Sequence, residues 1–286
     1  MKKPDLFSSL GVAEKFTDSS VLISSSKYLN HPLLREALAT SMLRRNGRDR
    51  RIGWESQYIV MALREIRDAD HINAMIADER KINPRLDQWF TERHMSTFRR
   101  ADLANYPENS LGKIFHDCLV EQNLDIDLDN RLRENPLWRP VTDLEYFEAR
   151  GSQTHDFEHL MGGTGFDYLS ELVPFWVRIE NTFKHINNKE LASELSLMYV
   201  LFATAMFTRT VLHYPKAWQV IGDYLQHSIA VGRAATPLLT FKYEDVLHLP
   251  LAEARQQLGY PAVKQFNTYE ISDYWSEGAQ FDPGIR

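Results

Sequence analysis

The sequence predicts an all-α fold, a multi-helix bundle. Apolar residues recur at i, i+3 and i+4 through most of the chain, and runs that alternate apolar with polar residues are scarce. Capping residues, prolines and glycines fall where such helices should begin and end. In Pro32-Leu33-Leu34-Arg35-Glu36-Ala37-Leu38-Ala39, proline takes a first-turn position and Leu34 and Leu38 follow at i, i+4. Trp54 to Ile66 repeats the pattern with Tyr58, Met61, Ala62 and Glu65. His71 to Ile82 gives a third helix, stopped before Pro84. Residues 84–108 are mixed, with Pro107 and Asn109 marking a turn, and Leu111 to Val120 reads as a short helix. The charged stretch from Glu121 to Arg139, with Pro136 and Pro140 at its end, reads as a connection.

Thr142-Asp143-Leu144-Glu145 is a capping box and starts a helix running to Met161. Gly151 weakens its middle by about 1 kcal/mol relative to alanine. Gly162-Gly163-Thr164-Gly165 ends it, and Phe166 to His185, Lys189 to Tyr214 and Lys216 to Arg233 read as three further helices. Pro237 and Pro250 punctuate the chain beyond Arg233, and Leu251 to Leu258 closes with Gly259 at a C-cap position.

The 286 residues suffice for one large domain or two small ones, and 43% apolar with 25% charged residues excludes a disordered or collagen-like chain. A net charge of −6 argues against a general nucleic-acid binder. The single cysteine, Cys118, excludes an internal disulfide framework and a multi-cysteine zinc ribbon, and reads as a small buried residue of a reducing compartment. The start, Met1 to Phe7, has neither a secretory apolar run nor a transit-peptide pattern. The uncharged apolar stretch Leu195 to Thr208, 14 residues, falls short of the ~20 that span a bilayer and suits a buried helix. The expectation is a cytoplasmic protein that touches membranes only peripherally, on their inner face. The arginine-rich run Arg44-Arg45-Asn46-Gly47-Arg48-Asp49-Arg50-Arg51 reads as a solvated turn or as an electrostatic contact with an anionic membrane surface.

One segment carries chemistry: His155-Asp156-Phe157-Glu158-His159, then eleven residues, then Glu171. On a helix His155 and His159 stand one above the other, with Asp156 about 100° round. If one helix continued, Glu171 would lie about 18 Å beyond His159 along the axis. Gly162, Gly163 and Gly165 let the chain reverse and an antiparallel helix bring Glu171 back. Two imidazoles and two carboxylates can then hold a divalent cation such as zinc, iron or manganese. The competing reading is a solvated helix surface. His116-Asp117 shows how cheap a histidine–aspartate pair is, since it lacks both the second histidine and the glycine reversal.

His-Asp-x-x-His followed after eleven residues by Glu resembles the signature of the coenzyme Q biosynthesis protein four family. The resemblance extends to Tyr106-Pro107-Glu108-Asn109-Ser110-Leu111-Gly112, similar to the family's Leu-Pro-Glu-Gly-Ser-Leu-Gly turn. It also reaches Gly232-Arg233-Ala234, Tyr243-Glu244 and Arg255-Gln256-Gln257-Leu258-Gly259, and covers residues 95–262. Departures are residues 1–94, the tail from Phe266, the run Arg150 to Thr154, and Tyr243-Glu244 where the family has Trp-Glu. The matching domain division is an N-terminal helical extension at 1–94, a family-like metal-binding domain at 95–265 and a C-terminal tail at 266–286.

The resemblance implies a helical protein of ubiquinone assembly acting on a polyprenylated hydroxybenzoate. It implies a metal, usually written as zinc, on His155, Asp156, His159 and Glu171, which would be both ligands and catalytic residues. The implied reaction removes the ring carboxyl group at carbon one, coupled in some accounts to hydroxylation, for which iron suits better. Implied partners are an isoprenoid lipid in an apolar channel and other quinone-biosynthesis proteins; a homodimer also remains open. Leu195 to Thr208, with Phe202 and Met206, is the expected channel wall, against a plain core helix as the alternative. Arg233 could meet a substrate carboxylate or phosphate, or simply complement a helix dipole. Two other functions compete: a non-catalytic lipid-binding scaffold organising a biosynthetic complex, and a histidine–aspartate phosphohydrolase drawing also on His116 and Asp167.

Overall fold

Side-chain caps set the helix starts. Asp68 accepts from the His71 amide at 3.0 Å, Asn83 from Leu86 at 3.2 Å and Ser110 from Lys113 at 3.2 Å. Thr142 accepts from the Glu145 amide at 3.2 Å while the Glu145 carboxylate accepts from Thr142 at 2.9 Å, closing the expected capping box. The computed structural model describes residues 26–43, 55–128 and 139–266, and every regular element among them is helical. The helices are α1 (Lys27–Asn30), α2 (Pro32–Leu43), α3 (Glu55–Ile66), α4 (Ala69–Ile82), α5 (Pro84–Glu92) and α6 (Arg100–Leu103). After them come α7 (Leu111–Glu121), α8 (Asp143–Gly162), α9 (Leu172–His185), α10 (Lys189–His213), α11 (Trp218–Ala234) and α12 (Leu251–Leu258). The arginine-rich run at 44–51, most of the expected connection before Pro140 and the tail beyond Phe266 lie outside the described residues.

Two boundaries differ from expectation. Residues 84–92 form α5, because Pro84 is a first-turn proline behind the Asn83 cap, and Leu86, Trp89 and Phe90 share a buried face. Pro84 therefore ends one helix and opens the next. The helix expected from Phe166 begins only at Leu172, after a 3₁₀ turn at Leu169–Glu171. Asp167 causes the delay: its carboxylate accepts from the amides of Leu169 and Ser170 at 3.1 and 3.2 Å and from the Ser170 hydroxyl at 2.5 Å.

α9 lies between α10 and α11 and packs on both. Its approach to α11 requires glycine: a Cβ on Gly232 would stand 2.6 Å from the Val177 carbonyl oxygen. The main core runs through Phe115 of α7, Phe157 of α8, Val173 and Phe175 of α9 and Met206 of α10. Burying one such phenylalanine contributes about 1.5–3 kcal/mol. α4 and α5 pack through Ile72, Trp89 and Phe90 on Leu144, Tyr146 and Leu191 at the starts of α8 and α10. α2 and α3 pack through Leu34, Leu38, Ile59 and Leu63 on Leu201 of α10. α10 is 25 residues long and apolar enough to cross a membrane, but half of its apolar stretch is buried within this body.

Candidate metal centre

The centre is built where α8 ends. His155 and His159 rise from the same side of its last turns, one helical turn apart. Gly163 then takes the left-handed conformation at φ 79°, the Thr164 amide bonds back to the His159 carbonyl at 2.9 Å, and the chain reverses. Arg255 donates to the Leu160 and Met161 carbonyls at 2.7 and 3.1 Å, and His227 donates to the Gly162 carbonyl at 2.9 Å. The exposed carbonyl end of α8 is thereby satisfied. The 3₁₀ turn held by Asp167 presents Glu171 back toward the histidines.

The donor atoms converge. Glu171 Oε2 lies 2.7 Å from His155 Nε2 and 3.4 Å from His159 Nε2, and the two Nε2 atoms are 3.3 Å apart. Around a tetrahedral ion with ligand bonds near 2.0–2.1 Å, donors sit about 3.3 Å from one another. The nitrogen and oxygen donors fit zinc or iron in kind, and two of the three distances match that spacing, while the 2.7 Å contact is a hydrogen bond between His155 and Glu171. The side chains of His155, His159 and Glu171 are 21%, 1% and 16% exposed, so solvent reaches the centre past His155 and Glu171 and not past His159.

The charges within the trio complement one another. Burial opposes charge on His159, but Glu171 and, less strongly, Asp156 and Asp167 outweigh it and raise its pKa. Burial likewise opposes charge on Glu171, yet the two imidazoles hold its carboxyl well below the usual carboxylate range. Asp156 is half-buried; it contributes charge to His159 but does not belong to the converging trio of His155, His159 and Glu171.

The other expected residues are dispersed. Phe202 packs on Phe175 with ring centroids 5.5 Å apart, and Phe175 in turn stacks on His155, so Phe202 is one ring removed from the centre. Met206 is buried in the main core. Arg233 is on the surface, where its Nε donates to Glu180 at 2.7 Å. His116 pairs with the neighbouring Asp117 at 2.8 Å, and Asp167 caps the 3₁₀ turn before α9. Cys118 is half-buried and its thiol is pushed up to about 11, chiefly by burial.

Sequence reasoning missed the polar cluster on another face of α8. Arg150 is gripped by the Glu244 carboxylate at 2.9 and 3.1 Å, and donates to Ser96 Oγ at 2.6 Å and the Phe241 carbonyl at 3.1 Å. Arg178 of α9 makes the same two-pronged contact with Glu158 at 2.5 and 2.7 Å, and reaches the Gly151 carbonyl at 2.8 Å. Gly151 leaves room for this arginine: a Cβ there would lie 3.3 Å from Nη1. Two phenylalanines were missed as well. Phe166 stacks on His159 at 5.2 Å and Phe175 on His155 at 5.6 Å, each inclined by 25°. Phe166 carried one signal, its position directly after the Gly-Gly-Thr-Gly reversal.

The fold is shared with a crystal structure of a proposed ubiquinone biosynthesis protein from Nostoc punctiforme. That structure superposes with a TM-score of 0.56 at 17% identity, over 79% of this chain and 94% of its own. No curated protein matches the chain. The sequence profile described as coenzyme Q (ubiquinone) biosynthesis protein Coq4 matches residues 90–263, more than half of the chain. The chain therefore belongs to the Coq4 family of ubiquinone biosynthesis proteins.

Proposed function

We propose that this protein is a metal-dependent enzyme that removes the ring carboxyl group at carbon one of a polyprenylated hydroxybenzoate. The supporting observation is the convergence of His155 Nε2, His159 Nε2 and Glu171 Oε2 at ligand spacing in a chain of this family. These three residues would hold the ion, and Asp156 would add negative charge beside it. A bound divalent ion supplies Lewis acidity toward the substrate's carboxylate or phenolate, and iron would add oxygen chemistry that zinc lacks.

The chain's own residues do the rest. The buried His159 closes the back of the centre, and the partly exposed His155 and Glu171 leave the side by which an aromatic acid enters. Phe166 borders a groove of about 250 Å³ lined also by Ile114, Leu160, Leu251 and Phe266, which offers apolar walls to an isoprenoid tail. Half-buried α10 supports reaching that lipid from the membrane surface rather than from within the bilayer.

The test is release of carbon dioxide from the ring carboxyl of a prenylated 4-hydroxybenzoate by purified protein loaded with zinc or iron(II). Turnover is expected, and His155→Ala should abolish it without unfolding the chain. Full metal loading with saturable lipid binding and no carbon dioxide would instead make the protein a non-catalytic scaffold.

A further inference from the structure

We infer that Phe166 and Phe175 are positioning residues of the metal centre, each fixing one imidazole plane by stacking. This role rests on the proposed binding of a metal by His155, His159 and Glu171. A histidine that binds metal through one ring nitrogen usually donates from the other to a carboxylate or carbonyl, and that bond sets the ring's orientation. His159 has no such bond: its Nδ1 is fully buried and makes no hydrogen bond. Rotation of an imidazole about its terminal torsion is only broadly restrained, so something else must hold Nε2 toward Glu171.

The neighbouring aromatic rings supply that restraint. Phe166 lies nearly parallel to His159, and its stack continues to Phe115 at 6.4 Å, again inclined by 25°. The loop that carries Phe166 is tied to His159 itself, since both the amide and the hydroxyl of Thr164 donate to the His159 carbonyl, at 2.9 and 3.3 Å. Phe175 lies nearly parallel to His155 and is backed by Tyr199 at 5.9 Å, whose hydroxyl Arg178 holds at 2.5 Å. The two stacks set the imidazoles at 84° to each other with centroids 5.0 Å apart. That crossing lets two rings on one helix face aim their Nε2 atoms at a common point.

Cobalt(II) titration, read by its visible absorption, tests the inference on the full chain. Phe166→Leu keeps the bulk of a half-buried side chain and removes the stack; it should weaken cobalt binding about 10–100-fold, the usual effect of losing an outer partner of a metal ligand. Phe166→Tyr should restore the affinity and the wild-type spectrum, which a merely structural role would not require. Phe175→Leu and Phe175→Tyr repeat the test on His155; because Phe175 is a core residue, the Phe166 pair decides if Phe175→Leu does not fold. Wild-type affinity in a folded Phe166→Leu, or a loss that a folded Phe166→Tyr does not repair, would overturn the positioning role. Failure of the wild-type protein to bind cobalt would instead remove the metal reading, and this role with it.

Discussion

Two faces of α8 bury charged and titratable groups in contrasting ways. On one, Arg150 and Glu158 each meet an opposite charge, Glu244 and Arg178, in a two-pronged grip, and the Nη groups of the two arginines donate further to carbonyls and hydroxyls. On the other, His155, His159 and Glu171 have one another for partners and point three potential ligand atoms inward. The first arrangement pairs each charge with an opposite one and joins α8 to α9 and to the 3₁₀ turn at Tyr243–Val246. The second has the donors and spacing of a cation site. Buried polarity is thus no sign of a site by itself; what marks the trio is that potential ligand atoms of three residues converge.

The contrast breaks most sharply at Arg178. Arg178→Met leaves Glu158 buried without its partner and should cost about 3–5 kcal/mol in urea unfolding. Arg178→Met combined with Glu158→Leu should recover most of that loss, because two apolar groups need no mutual charge. A single variant as stable as wild type would show that this face is not held by the pair.

The cradle should respond to metal instead. With free zinc at a hundred times its Kd, wild-type stability should rise by about 2.7 kcal/mol. In His155→Ala the rise should vanish, while the metal-free stability changes by about 1 kcal/mol or less, since His155 is only half-buried. Equal zinc stabilisation of both proteins would place the ion elsewhere.

A smaller effect separates the faces by pH. Burial opposes charge on Glu244, but the His94 imidazole 3.4 Å away, the hydrogen bonds from Arg150 and the Arg150 charge hold its carboxyl well below the usual carboxylate range. A depressed carboxylate stabilises the fold above its unfolded pKa, and that contribution fades as pH falls from the ordinary carboxylate range toward the folded value. Urea midpoints measured from pH 6 down to pH 3 should therefore fall less steeply in Glu244→Gln than in wild type. Parallel acid limbs would count against the pair.

The smallest effect explains a departure from the family turn. Asn109 holds φ 65°, the left-handed region, at the position where the family's Leu-Pro-Glu-Gly-Ser-Leu-Gly has glycine. Asparagine tolerates that region better than other side chains. Asn109→Ala should cost about 1 kcal/mol by thermal unfolding, and Asn109→Gly much less. Equal losses would mean that the turn depends on the asparagine side chain rather than on its backbone.

Local rules made most of the helices legible. Capping at Thr142, the stop at Gly259 and the i, i+4 spacing of His155 and His159 all act within one or two turns of chain. Glu171 was legible through the glycines, because only a reversal brings it near His159. The start of α9 was not, since the Asp167 turn competes with helix over only three residues. The ion pairs were illegible for a different reason: Arg150 and Glu244 are 94 positions apart, and nothing in their own neighbourhoods marks them as partners. The sequence landmarks at Gly232 and Arg255 proved to be a close approach of α11 to α9 and a cap on the end of α8.

The most direct measurement is the metal content of untagged protein purified without air or chelator, compared with Glu171→Gln. Close to one divalent ion per chain is predicted in the wild type and a large loss in the variant, with both proteins equally helical. A folded wild-type chain that carries no ion and takes none up from zinc, iron(II) or manganese(II) would contradict a metal centre on His155, His159 and Glu171.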